Sequence, residues 1–245
     1  MKIRRIFFLL ALLIITLGTV VFRSSLPKPI VSIIHTIKGK KNVSDRVKQY
    51  GATVHSRLDP HFKQINIAYP PVAITLVAFK KERKLEVWVK GEKRRYKLLK
   101  TYPILGASGA LGPKLKEGDG QVPEGIYKIE SLNPNSLFHL ALRVNYPNIY
   151  DKTKSKLEGR TNLGGDIMIH GNTCSIGCLA MGDQAAEDLF VLAAESGIKN
   201  ISLILSPVDF RTQELPDQVR KVPPWTPELY ASIKDELREL EANCN

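Results

Sequence analysis

Residues Ile167–Gly182 read IMIHGNTCSIGCLAMG, and the fold depends on how this stretch divides. An apolar triplet, Ile167–Ile169, runs into His170 and is followed by Gly171, Asn172, Cys174, Ser175, Gly177 and Cys178. Consecutive apolar residues bounded by turn formers predict a short strand, buried on both sides. The polar half admits three chemistries. His170, Cys174 and Cys178 stand at i, i+4 and i+8, which would converge on one side of a helix. However, Gly171, Asn172, Ser175 and Gly177 are poor helix formers, and a structural zinc site wants a fourth ligand. A Cys174–Cys178 disulfide would close a very small loop with little entropic benefit. The third chemistry is nucleophilic. A thiol becomes useful when a histidine takes its proton and backbone N–H groups wait for an oxyanion. Gly177 permits the tight turn that aims the N–H groups around Gly177 and Cys178 at one oxygen, and Ser175 can hydrogen-bond within it.

Working outward, Asp183–Ser196 reads as a helix closed by Gly197, and ISLILS (201–206) as a last strand. Upstream, VAITLVAF (72–79), LEVWV (85–89) and RYKLLKTYPI (95–104) are strand candidates, with Leu85, Val87 and Val89 on one face. A Gly/Pro-rich loop, Leu105–Glu124, precedes two more strands, GIYKIES and FHLALRV. Asn42–Pro60 has helical spacing with Ser44 as its cap. The tail from Trp225 predicts a helix with Thr226 at the N-cap and Leu229, Ile233, Leu237 and Leu240 as its apolar stripe. The expected class is mostly β with peripheral helices, an α+β fold.

Composition narrows the partners. The chain has 245 residues, 43% hydrophobic and 24% charged, with a formal net charge of +12. That excess suits an anionic polymer, an acidic membrane surface or a nucleic acid. The basic run KGEKRRYKLLK (90–100) has no interleaved stacking aromatics and reads as a solvated strand and hairpin. MKIRR followed by the charge-free run Ile6–Phe22 reads as a secretory signal or, preferably, an uncleaved anchor. Basic residues at that end favour export of the rest, which sets nucleic acid aside as a partner and places the body on the periplasmic side of an inner membrane. Three cysteines are too few, and odd in number, for a disulfide scaffold.

Several separated motifs now resemble one family, the L,D-transpeptidase catalytic domain of YkuD type. They are IMIHG, SIGCLAM, GPKLKEGDGQVPEGIYKI (Gly112–Ile129) and HLALRVNYPN (His139–Asn148), in the family's order. The last of them matches the branch with a short His-to-Cys spacing. The likeness covers roughly Pro71–Pro207, with Val122 where the family has threonine. It implies a β-sandwich or barrel catalytic domain in which Cys178 is the nucleophile and His170 the proton acceptor and donor. It also implies that the Gly171 carbonyl orients His170 and that the Gly177 and Cys178 N–H groups form the oxyanion hole. The implied substrate is a peptidoglycan stem peptide, attacked at a diaminopimelate carbonyl and passed to an amine of another stem or of a wall-linked lipoprotein. No cofactor and no metal are implied. The chain departs from the commoner S-H-G-C pattern at Ile176, so His170 acts without a second histidine, and hydrolysis of the same acyl-enzyme becomes an alternative.

Ser175, Arg143, Tyr146 and Asn148 are candidate substrate contacts; for the last three, turn structure is the plainer reading. Cys174 reads as a bystander with a regulatory option, and His139 as a core or rim histidine. Lys114 and Lys116 are loop lysines that could meet stem-peptide carboxylates. The expected division is 1–22 signal or anchor, 23–70 tether and helical approach, 71–210 catalytic domain and 211–245 helical extension. A non-catalytic wall-binding protein that kept the fold is the competing class.

Overall fold

The run VAITLVAF is almost wholly apolar because its strand is covered on both faces. The computed structural model describes residues 39–92, 95–216 and 221–242. In it β1 (Ala73–Phe79) is buried from Ile74 to Phe79. Ile74, Leu76 and Ala78 enter the main core, while Val77 and Phe79 enter a second cluster, as the two-residue period of a strand requires.

The remaining strands are β2 (Lys84–Lys90), β3 (Tyr96–Pro103), β4 (Gly106–Ala107), β5 (Gly125–Ser136), β6 (His139–Val144), β7 (Met168–His170), β8 (Leu179–Ala180) and β9 (Ile201–Ser206). They form one mixed sheet in the order β3-β2-β1-β9-β5-β6-β7-β8-β4. β1/β9 and β7/β8 are parallel, and the other pairs antiparallel. β5 joins two halves: Gly125–Lys128 pair with β9, and Ile129–Ser136 pair with β6 across two register shifts. Such irregularities bend a strand, letting both halves line the same core.

Among the described residues four α-helices flank the sheet: α1 (Val43–Ile65), α2 (Ile149–Leu157), α3 (Asp183–Ser196) and α4 (Thr226–Ala242). α1 and α3 close the main core with Val54, Leu58 and Phe62 from one and Leu189, Phe190 and Leu192 from the other. The predicted α4 stripe of Leu229, Ile233, Leu237 and Leu240 covers the opposite face at Val77, Phe79 and Ile204. The fold is therefore mostly β with peripheral helices.

Some boundaries differ from expectation for local reasons. The cap of α1 is Asn42, not Ser44, because Asn42 and Asp45 make a reciprocal capping box. Thr226 is the first residue of α4 rather than its cap. The same box chemistry, Asn148 with Asp151, starts α2, which the apolar pattern alone did not announce. β7 begins one residue later than Ile167, and only Ile169 of it faces the main core between β6 and β8. α1 packs with α3 on the main core and falls in the same compact unit as the sheet. The proposed signal or anchor lies outside the described residues. Among those that are described, no helix is long and apolar enough to cross a membrane.

Candidate active site

Strand alternation builds the site. Ile169 pairs with Leu179 and His170 with Ala180 in the parallel β7/β8 ladder, and β6 adds Ala141 opposite His170 and Arg143 opposite Met168. Ile169, Leu179, Leu140 and Leu142 point into the main core. Met168, His170, Ala141, Arg143 and Ala180 therefore share the other face, and so does Cys178, two residues before Ala180. The thiol thus leaves the chain on the face that carries the imidazole, one strand away.

His170 Nδ1 lies 2.6 Å from the Gly171 carbonyl oxygen. A carbonyl only accepts, so Nδ1 carries the proton and Nε2 keeps a lone pair, the form a general base needs. Gly171 cannot be replaced easily. A Cβ there would stand 2.5 Å from Asp183 Oδ1, 2.8 Å from the Phe138 carbonyl and 2.9 Å from His139 Cβ. The imidazole is 2% exposed. Burial lowers its pKa below the ordinary 6.5, against the opposing pull of the Gly171 hydrogen bond.

The Cys178 thiol donates to the Asp166 carbonyl at 3.6 Å. Burial raises its pKa above 9.0; Asp166 adds to that, while the Met168 N–H and the Lys114 ammonium oppose it. Burial thus disfavours the charged form of both groups, the imidazolium and the thiolate.

The turn before Cys178 is held from outside. Gly177, at φ 100°, donates its N–H to Ser108 Oγ at 2.6 Å. Ser108 in turn donates to the Gly120 carbonyl at 2.7 Å. The Gly177 N–H is thus engaged by Ser108 of the 108–121 loop. Ser175 Oγ donates to the Cys178 carbonyl at 2.6 Å, inside the turn as expected. Ser108 carries no local sequence signal; it meets Gly177 from 69 positions away.

The other candidates separate. Arg143 is on the site face, paired to Asp166 at 2.5 Å and Glu130 at 3.0 Å. Tyr146 is buried, with its hydroxyl donating to the Leu163 carbonyl at 3.2 Å, and Asn148 is spent on the α2 cap and the Ile126 carbonyl. Both side chains hold local structure together, Tyr146 buried and Asn148 half-buried. Lys114 is buried against Asp119 at 2.5 Å rather than offered on a loop. Cys174 is exposed and Cys178 half-buried, and both are free thiols. Among the described residues no cluster of three His, Cys, Asp or Glu side chains could hold a metal ion.

A sheet-borne His–Cys pair with the imidazole tied to the next carbonyl places the chain in a defined class of domains. Residues 73–201 match the YkuD L,D-transpeptidase catalytic domain, more than half of the chain. The chain belongs to that family. It is 42% identical over 123 residues to "Putative L,D-transpeptidase YafK" of Escherichia coli strain K12 and of E. coli O157:H7, covering 49% of this chain and 46% of each relative. Among solved structures it is similar to the helical cell shape determining protein Pgp2 from Campylobacter jejuni, at 21% identity and TM-score 0.45, over 56% of this chain and 48% of that one. Mycobacterium tuberculosis L,D-transpeptidase 1 follows at 16% identity and TM-score 0.32, over 55% and 62% of the two chains.

Proposed function

We propose that the protein is a peptidoglycan-modifying cysteine acyl-transferase. The carrying observation is the Nδ1-tethered His170 on the same sheet face as Cys178, in a chain of this family. In this reading Nε2 of His170 takes the thiol proton and Cys178 Sγ attacks the carbonyl carbon of a diaminopimelate residue in a stem peptide. The tetrahedral adduct collapses by breaking the C–N bond. The imidazolium returns its proton to the departing D-alanine amine, and a thioester remains on Cys178. With the Gly177 N–H held by Ser108, the developing oxyanion falls to the Cys178 N–H. Arg143 offers a guanidinium to a substrate carboxylate; its present partners are exposed carboxylates that a ligand can exchange at low cost.

An acceptor amine, from another stem or from a wall-linked lipoprotein, then resolves the thioester. Water resolves it in the hydrolytic reading, which the exposed Ile176 beside the nucleophile favours, since it supplies no second base on that side. The place of action is the cell envelope, with the N-terminal apolar segment as the membrane attachment.

The deciding experiment incubates the purified protein with defined muropeptides and with lipoprotein-linked muropeptides, followed by mass spectrometry. The expected result is an acyl adduct on Cys178 with loss of D-alanine, absent in Cys178→Ala and reduced at least 1,000-fold in turnover. New cross-links identify transpeptidation, and bond loss identifies hydrolysis. Unchanged muropeptides together with an unmodified Cys178 would sink the enzyme reading.

A further inference from the structure

We propose that Phe138 is a positioning residue for His170, and that the hairpin tip carrying it is held in place by the first turns of α1. The inference rests on His170 being the base of the proposed reaction. The β5–β6 hairpin closes at the Ser136–His139 pair, leaving Leu137 and Phe138 as its turn. The Phe138 ring stacks on the imidazole, with centroids 4.7 Å apart and planes 26° from parallel. The backbone of the same tip rests on the neighbouring glycine, since the Phe138 carbonyl and His139 Cβ occupy the space a Cβ on Gly171 would need. One turn therefore touches both the base and the residue whose carbonyl fixes its tautomer. Ile169 closes the core side of β7, so Phe138 is the cover on the reacting side.

The tip is not free to swing. Asn135 exchanges two hydrogen bonds with the backbone of Lys41, at 3.0 and 2.7 Å. Arg46 Nε donates to the Pro134 carbonyl at 2.8 Å. His139, at φ 72°, meets Glu187 of α3 at 3.0 Å and takes the edge of the Tyr50 ring at 5.3 Å. Residues 41–50 precede the family match at 73–201, yet they set the position of the cover. A ring stacked on a histidine is also ordinary packing, so the test needs a readout that packing alone does not move.

The test uses the full chain and follows His170 by NMR, together with kcat and KM on muropeptides. Phe138→Ala should lower kcat about tenfold with KM within about twofold, because the imidazole loses its fixed orientation. In the same variant the His170 titration should move upward and the Nδ1-protonated tautomer should lose its dominance. Phe138→Tyr should restore both. The double variant Arg46→Ala, Asn135→Ala should shift kcat and the tautomer in the same direction, by about threefold in kcat. In the Phe138 variants the charged groups nearby stay in place: Asp183 bonded to Asn172, Glu187 paired with His139, Arg46 on the Pro134 carbonyl, and Asp166 with Arg143 and Lys114 beyond the thiol; the double variant removes the Arg46 charge and is read on kcat and tautomer. A shift in titration then reports the cover.

If Phe138→Ala does not fold, Phe138→Leu takes its place, of similar bulk but without the ring, with the same expectation. His170 titration and tautomer unchanged in the folded variant overturn the proposal, as does full restoration by leucine. Wild-type protein that leaves muropeptides unaltered overturns the proposed reaction instead, and the imidazole titration still decides Phe138.

Discussion

Two loops meet at Gly177, and they are built in opposite ways. The 108–124 loop is pinned by buried charge. Lys80 reaches in from the end of β1 to the carbonyls of Ala110, Gly112 and Val122, and pairs with Glu124 at 2.8 Å. Glu124 also accepts from the Gly112 N–H and from the Tyr230 hydroxyl of α4. Asp119 gathers Lys114 and three backbone N–H groups; although burial pushes its carboxyl up, these hold it below the ordinary range. The 171–178 loop, by contrast, has no ion pair among the described residues. It hangs on neutral bonds, chiefly Asn172 to Gly182, Ser175 to Cys178 and Gly177 to Ser108, with the Asp183 carboxylate accepting the Asn172 N–H. The neutral turn before Cys178 therefore takes its placement from the charge-pinned neighbouring loop, through Ser108.

The largest test of this contrast is Glu124→Ala. It leaves Lys80 buried beside an empty partner, and should cost about 3–5 kcal/mol in urea unfolding. A loss below about 1 kcal/mol would mean that the pin is decorative.

Asp151 comes next, at the far end of the same hydrogen-bond chain through Tyr127, whose hydroxyl serves both Asp151 and the Glu124 carbonyl. Burial raises its carboxyl from 3.8 to about 6. The sign is that of an acid disfavoured when ionised. Its contribution is fully present below pH 3.8 and is lost as pH rises to about 6, roughly 2–3 kcal/mol in all. Asp151→Asn should remove that slope, and unfolding measured between pH 4 and 7 reads it directly. A variant that keeps the wild-type slope contradicts the assignment.

Ser108→Ala isolates the bond between the loops. With Gly177 N–H released, kcat should fall several-fold to about tenfold, while stability changes by only about 1 kcal/mol. An activity loss matched by equal loss of stability would erase the distinction between the two loops.

The smallest effect is chemical. Cys178 is raised above 9.0 by burial, so in a Cys174→Ser, Cys244→Ser background its alkylation at pH 8 should be several-fold slower than that of free cysteine. Rate should climb with pH to beyond 9. A plateau near pH 7 would show a preformed thiolate and a different resting site. The activity profile has the complementary limb: His170 titrates below 6.5, so activity should fall only on the acid side of that value.

Much of the architecture was legible because it is written in neighbours along the chain. The nearly apolar run at 72–79 read as a strand, and the four-residue stripe of α4 as a helix. His170 before a glycine, and Cys178 after one, marked the two candidate reactive groups. Ile176, where the commoner pattern has histidine, proved to be an exposed side chain beside the nucleophile. The helix α2 was missed because its signal is a cap, Asn148 with Asp151, rather than a stripe.

What the chain alone determined, then, is every feature with a short period: alternation in strands, three-to-four spacing in helices, and the glycines that shape the turns at 171 and 177. Only the tertiary structure decided which distant groups surround His170 and Cys178. The strand order brings β5–β6 over β7 and lays Phe138 on His170, while β4 beside β8 brings Ser108 to Gly177 across 69 positions. It also gave the Gly177 N–H a side-chain partner, Ser108, that no neighbouring residue supplies. Such contacts depend on which strands become neighbours, a long-range choice fixed by burying one shared core, and no local periodicity carries it.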